Sequence, residues 1–339
     1  FDARNDFETV VARILPAHVP ALLTTYRAEG KPHGRPPALW IGNDVYGTQE
    51  RTYRVADTVE AGGKWISAQH GGGYGQVLEI GHGKIEYEAS DGFVTWGWTD
   101  DGHSPAALYP LPSPALSQLP PHREANTRLI LVGTMVPAYH YRFHSLIQPE
   151  QILDVLEWRK RFLMHTSEDI RDHTWYRPYA IDYGVDETDF VMEAGPECHV
   201  LRGGTLVHAL SRARLAVIDH VATTLLQTLV MNVPTVLFWN PEVYILHPTA
   251  KPFFDELRSV GVLYDSPEAA ANKVNEIWSD VAGWWRGVEI QNARRRFVNR
   301  YARTSRHWRK EWITFLKKQL RTTTNRPAQP ITTSRRAVS

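Results

Sequence analysis

Two stretches carry residue types that can do chemistry. The first is His70-Gly71-Gly72-Gly73-Tyr74-Gly75, followed closely by Glu86, Glu88 and Asp91. Its glycines let a backbone take positive φ and approach a ligand. An imidazole such as His70 can exchange a proton or hold a ligand group. The carboxylates can supply a general base or nucleophile. Read as a strand, this region puts Glu86 and Glu88 on one face. Asp91 before Gly92 also suits a turn, and solvated carboxylates beside an ordinary glycine loop are the plain alternative. The run has neither the Lys-Ser/Thr ending of a P-loop nor the spacing of a dinucleotide fingerprint.

The second stretch is Asp219-His220-Val221-Ala222-Thr223-Thr224, set between the apolar runs 215–218 and 235–238. Strand, polar break, helix and strand follow one another in the space of one βαβ unit. In open α/β sheets ligands bind at that strand end, and free amides at a helix start favour an anion. Thr223 can equally be a helix cap. Arg177-Pro178-Tyr179 with Asp182-Tyr183-Gly184 forms an aromatic, charged loop of the kind that holds ligands or covers a sheet edge. Arg142 stands in the loop after the apolar run 128–133.

The elements that position these residues alternate between helix and strand. Residues 7–26 have helical spacing broken by Pro16 and Pro20. Residues 38–44 and 64–69 are read as strands and 52–61 as a helix closed by Gly62-Gly63. Residues 100–122, rich in Pro, Gly and Ser, are read as a linker, with the domain boundary near Pro121. Beyond it the chain gives a strand at 128–133, a helix at 149–166, a short helix at 205–213, and β, α, β, α, β, α from 215 to 285. Ser266-Pro267-Glu268 has the composition of a helix start. The fold class read from this order is α/β, with two Rossmann-like domains at residues 1–121 and 122–302. The first domain is short of strands, and the chain begins at Phe1, so the reading includes truncation on the N-terminal side. A basic amphipathic helix is expected at 303–320, with Trp308, Trp312, Phe315 and Leu316 on one side, and a disordered tail at 321–339.

Composition bounds the function. The 339 residues, 42% hydrophobic and 22% charged, are ordinary for a globular protein. Cys198 is the single cysteine, which excludes an internal disulfide and a cysteine-cluster metal site and points to a reducing compartment. Twelve Trp and 14 Tyr suggest large contact surfaces or a sugar-handling cleft, with core packing the simpler explanation. No apolar run reaches the roughly 18 residues of a membrane span. The net charge of +1 conceals an uneven distribution, since residues 294–339 hold 14 Lys/Arg and one acid, Glu311. An acidic body with a basic end argues against nucleic-acid binding. For the tail, docking on the protein and lying on anionic lipid both stay open.

Taken together, the glycine run with Glu86, Glu88, Asp91 and Trp96-Gly97-Trp98, the loop 177–184, and Asp219 through Thr224 resemble bacterial surface-polysaccharide transferases of GT-B fold. Among these are the retaining β-Kdo transferases of O-antigen and capsule assembly. The resemblance covers about residues 64–302. It implies a cytoplasmic enzyme, peripheral at the inner membrane face if the tail binds lipid, moving Kdo or a related nonulosonic acid from a CMP-linked donor to a glycan acceptor. No cofactor or metal is expected, and no Asp-x-Asp pair stands at a strand end. Retention requires a carboxylate nucleophile or equivalent, for which Asp91 is the first candidate and Glu88 the second, with His70 as acid/base or as a hydrogen-bond partner of the donor. For such a donor, Thr223 and Thr224 at the helix start can take the phosphate and Arg142 or Arg177 the carboxylate, with Asp182, Asp219 and His220 as further donor-binding candidates and Gly71, Gly72, Tyr74 and Gly75 as the loop. A sugar-nucleotide 2-epimerase of the same architecture and a non-catalytic nucleotide-sugar-binding module are the alternatives.

Overall fold

The computed structural model describes residues 36–43, 49–78, 80–99, 106–124, 127–136, 147–181, 183–185 and 187–323. The expected helix at 7–26, Arg142, Asp182 and most of the expected disordered tail lie outside the described residues. The chain divides into two compact units, residues 1–67 with 316–339, and residues 68–315.

In the first unit, β1 (Leu39–Ile41), α1 (Gln49–Glu60) and β2 (Lys64–Ala68, whose last residue belongs to the second unit) form a parallel β-α-β turn. Leu39 is paired with Lys64 and Ile41 with Ile66.

The second unit opens with α2 (Gly81–Ala89), β3 (Gly92–Thr95) and β4 (Ala107–Pro110), and β3 and β4 are parallel. Two expectations change here. Residues 81–89 are helix where the acidic stretch was read as strand, because the alternation around Ile85 and Tyr87 is too short to separate the two periods. The proline-rich stretch read as a linker contains β4 and a 3-10 turn (Leu116–Gln118). Its prolines fix an extended backbone, and β4 ends on Pro110, where no ladder donor is required.

A six-stranded parallel sheet follows. It contains β5 (Leu129–Val132), then, after α3 (Ile152–His165) and α4 (Glu168–Arg171), β6 (Thr174–Arg177). Next come α5 (Glu187–Met192), β7 (His199–Val200), α6 (Leu206–Arg212), β8 (Leu215–Ile218), α7 (Thr223–Met231) and β9 (Thr235–Phe238). The sheet closes with α8 (Lys251–Ser259), β10 (Leu263–Tyr264) and α9 (Pro267–Ile277). The strand order is β10-β9-β8-β5-β6-β7. The order reverses between β5 and β8, so the crevice above these two strand ends is the topological switch point.

The continuous apolar strands are explained by burial on both faces. Ile130, Val132, Ala216, Ile218 and Leu237 face one cluster with Leu225, Leu229, Phe254 and Phe297. Leu129, Leu131, Leu215, Val217, Val236 and Phe238 face another with Leu156, Phe162, Ala270 and Val274. The segment 267–285, expected as one helix, breaks after Ile277 because Asp280 caps a new start at α10 (Val281–Trp285), its Oδ1 accepting from Gly283 N at 2.8 Å. Then come α11 (Val288–Tyr301) and α12 (Trp308–Thr323), which begins later than the expected Arg303. Trp312 donates its indole N–H to Pro112 O at 2.8 Å, and the Phe315 ring lies 4.9 Å from that of Tyr109, so the aromatic stripe docks on the chain around β4.

Ser266 accepts from Ala269 N at 3.2 Å and is the N-cap of α9, as its sequence signals. Ser266→Ala should lower stability by about 1 kcal/mol while Ser266→Asp leaves it nearly unchanged. Urea midpoints of the three proteins test this.

Candidate active site

The glycine loop and the start of α7 meet backbone to backbone. A Cβ on Gly72 would lie 2.2 Å from the carbonyl carbon of Ala222, so only glycine fits. The Gly72 N–H donates to Thr223 Oγ1 at 2.9 Å. Thr223 is therefore not the helix cap. Ala222 is the N-cap and makes no side-chain bond, while Thr223, the first helical residue, spends its hydroxyl as an acceptor for the loop. A second clamp holds the loop's far end, with Leu78 N donating to Ile245 O and His247 N to Gln76 O, both at 2.8 Å. Gly75 has φ +68, and a Cβ there would strike the Trp98 ring at 2.5 Å.

Inside the loop, a chain of hydrogen bonds runs from the surface to a buried carboxylate. Tyr74 Oη donates to Glu86 Oε2 at 2.8 Å and lies 2.9 Å from His70 Nδ1. Since the phenol proton goes to Glu86, Nδ1–H of His70 is the donor to Tyr74, and Nε2 is the basic nitrogen. Glu86 and Tyr74 are buried, whereas the His70 side chain is 41% exposed. Partial burial lowers the His70 pKa, opposed by a bond with the Ala68 backbone, so the imidazole is neutral near pH 7. Gln69 braces the loop: its Oε1 accepts from Trp96 N (2.9 Å) and Trp98 Nε1 (2.8 Å), and its Nε2 donates to Gly71 O (2.8 Å).

Glu88 and Asp91 stand elsewhere. In helix α2, residues 86 and 88 point about 200° apart, so Glu86 faces the core and Glu88 is exposed. Asp91 precedes β3, whereas Gln69 N bonds to Val94 O at the strand's other end, toward His70. The carboxylate that the structure brings to His70 is Glu86, which the strand reading had placed on the same face as Glu88.

At the switch point the donor candidates form a buried ion cluster. Asp219 Oδ1 takes His220 Nδ1 at 2.8 Å, and Asp219 Oδ2 takes Arg159 Nε. Arg159 Nη1 also reaches Glu187 Oε2 at 2.7 Å and Tyr176 Oη at 3.0 Å. Arg159, Asp219, His220, Tyr176 and Glu187 are all buried. Burial alone would raise the Asp219 pKa, but the Arg159 charge and the His220 bond outweigh it and hold the carboxyl below its ordinary value. Burial pushes the Tyr176 phenol up, so it stays neutral. Arg159 and Glu187 were not expected here. The signal for Arg159 was a charge within the apolar stripe of α3, where an arginine requires a buried partner.

Arg177 is occupied. Its guanidinium donates to the carbonyls of Leu201 (3.0 Å), Gly203 (2.6 Å) and Gly204 (3.1 Å), pinning that turn. Beside it a cavity of about 200 Å³ is lined by Tyr179, Tyr183, Val136, Glu187, Thr188 and Arg202 among others. Thr224 is half-exposed in the first turn of α7. Among the described residues, no group of three or more His, Cys, Asp or Glu is placed to hold a metal ion. Nor is any helix among them long and apolar enough to cross a membrane.

The sequence profile described as LIC12162 family transferase matches residues 1–316. The chain belongs to this transferase family. Its fold is similar to that of a Listeria monocytogenes structure described as a UDP-N-acetylglucosamine 2-epimerase. The TM-score is 0.54 at 11% identity, over 94% of this chain and 80% of that one. MurG of Acinetobacter baumannii aligns at TM-score 0.44 and 9% identity, over 80% of this chain and 72% of that one. The chain thus shares the α/β fold of that epimerase structure, with parallel sheets. No curated protein matches the sequence.

Two outcomes are expected of this geometry. Gly72→Ala should destabilise the protein by about 1–3 kcal/mol, through overpacking against Ala222, in thermal or urea unfolding. Asp219→Asn leaves a buried Arg159 short of one partner and should cost about 3–5 kcal/mol at pH 7. Because the folded Asp219 pKa is depressed, its contribution is complete above about pH 4 and is lost as pH falls through the folded value. The variant's stability should therefore fall less steeply than wild type below pH 4.

Proposed function

We propose that this transferase is a glycosyltransferase taking its sugar from a nucleotide donor, specifically a CMP-linked nonulosonic acid such as Kdo, and passing it to a surface-glycan acceptor. The observation that carries the reading is the contact of Gly72 with Ala222 and Thr223. It sets an imidazole-phenol-carboxylate chain beside a helix start at the switch point of a doubly wound sheet. That helix start has no side-chain cap, which suits a donor phosphate, with Thr224 and His220 as its side-chain contacts. The nucleoside occupies the cavity lined by Tyr179 and Tyr183, where the Glu187 carboxylate can accept from an exocyclic amine such as that of cytosine. The reading requires no metal.

In the proposed reaction, a carboxylate attacks the anomeric carbon as the CMP phosphate leaves with the bonding electrons, and the acceptor hydroxyl then displaces that carboxylate while His70 Nε2 takes its proton. Tyr74 and Glu86 stabilise the imidazolium. The stereochemical part of the proposal is retention. Its carboxylate would be Asp91 or Glu88, and substituting each in turn while following the product anomer by NMR discriminates between them. The similarity to the epimerase structure gives the second reading a definite form, namely turnover of a UDP-sugar with no acceptor present.

CMP should raise the melting temperature, and Thr224→Ala, which leaves the Thr223 clamp on Gly72 intact, should reduce the rise. A shift with UDP and none with CMP would replace the donor assignment. His70→Gln should cut kcat/KM by about 10²–10⁴. Because the neutral imidazole is the base and its pKa is lowered, wild-type kcat/KM should fall on the acid side with its half-maximal point below about pH 6.5.

The outer side of α12 and its approach belong to the same proposal. Arg306, Arg309, Lys310, Lys317 and Lys318 are exposed, with Ile313 51% exposed among them. We assign this face to peripheral contact with an anionic membrane at its cytoplasmic surface. Flotation with phosphatidylglycerol vesicles should be lost when Lys310, Lys317 and Lys318 are changed to Glu, and retention of flotation would sink the assignment.

A further inference from the structure

The buried ions do more than fill the space under the switch point, because they form an unbroken path between two places that the proposed donor would occupy. At one end, Glu187 lines the aromatic cavity, and its Oε1 accepts from the Tyr179 backbone N–H at 3.4 Å. Its other oxygen holds Arg159 at 2.7 Å. Arg159 then bonds Asp219, whose second oxygen holds His220 Nδ1 at 2.8 Å. His220 stands two residues before the N-cap of α7. A single guanidinium thus serves two carboxylates, one facing the cavity and one facing the helix start. In a fully buried setting the charge it gives to one is withdrawn from the other, since low dielectric leaves no solvent to make up the difference.

We infer that Arg159 is a positioning residue that couples the aromatic cavity to His220, so that a nucleoside seated beside Glu187 is sensed at the imidazole near the donor phosphate. The inference rests on the nucleotide-donor reading for its ligand, though the coupling itself exists without one. An amine that donates to Glu187 neutralises part of its charge. Arg159 is then drawn more fully to Asp219, and Asp219 accepts less strongly from His220. The His220 Nδ1–H bond loosens, freeing the ring to turn toward the phosphate. Lysine could not replace Arg159, because one ammonium cannot reach both carboxylates with the planar geometry of a guanidinium.

The test reads the His220 Nδ1–H resonance by NMR in the intact protein, assigned by its loss in His220→Gln. Without ligand, Glu187→Gln should move that resonance upfield, because the amide no longer shares Arg159. Tyr176→Phe, which removes a bond to Arg159 without changing any charge, should leave it in place. Should Glu187→Gln not fold, Glu187→Asp withdraws the carboxylate from Arg159 and is read the same way. An unmoved resonance in a folded Glu187 variant overturns the coupling. Adding CMP to wild type should reproduce the upfield shift, and in Glu187→Gln bound CMP should cause no further movement. Equal CMP-induced movement in both proteins overturns the coupling while leaving the nucleotide reading intact. If no nucleotide binds wild type, the donor reading falls, and the ligand-free comparison still decides the coupling.

Discussion

At Gly72 one backbone rests on another with no side chain between them, and the candidate site depends on that contact. The loop carrying His70 is held by Gly72 N–H on Thr223 Oγ1 and by the short antiparallel pairing of residues 76–78 with 245–247. Within the loop so held, Tyr74 lies buried between Glu86 and His70 and its ring stacks on Phe93 at 5.5 Å. The constraint is steric first and electrostatic second. A glycine allows the approach, and a hydroxyl acceptor on the first residue of the helix fixes its register.

The other organising interaction is the Arg159 cluster. Two carboxylates and one guanidinium carry a net negative charge inside the protein, and hydrogen bonds from Tyr176 and His220 spread it. Burying such a group costs stability unless its geometry satisfies most of its donors and acceptors. Its position at the reversal of strand order matters more than its energy, since this is where a doubly wound sheet leaves room for a ligand.

The tryptophans serve packing. Trp65, Trp96, Trp98, Trp239 and Trp285 are all buried, and Trp98 and Trp285 each spend their indole N–H on an internal acceptor. The tyrosines divide differently. Tyr74, Tyr176 and Tyr244 are buried, while Tyr179 is 45% exposed at the cavity, where an aromatic face remains open to solvent. Abundant aromatics in a sequence therefore say little about sugar binding until burial separates core rings from rim rings.

Local pattern alone determined much of this protein. Short β-branched-rich runs at 129–132, 215–218 and 235–238 read as strands covered on both faces, and the Ser266-Pro267 start of α9 was legible because a cap is a contact within a few residues. The βαβ order from β8 to α9 follows from the same short-range information. Where the pattern was short or the contact long-range, only the tertiary structure decided. Residues 81–89 are helix because packing buries Glu86 beneath Tyr74, and that choice exchanged Glu88 for Glu86 as the partner of His70. Thr223 reads as a cap in sequence, yet its acceptor is spent on a backbone N–H 151 residues away in the chain. Arg159, Glu187 and Asp219 lie on three separate elements, and no spacing rule relates them. Their assembly is a property of the sheet order, which the sequence suggests and only the folded chain completes.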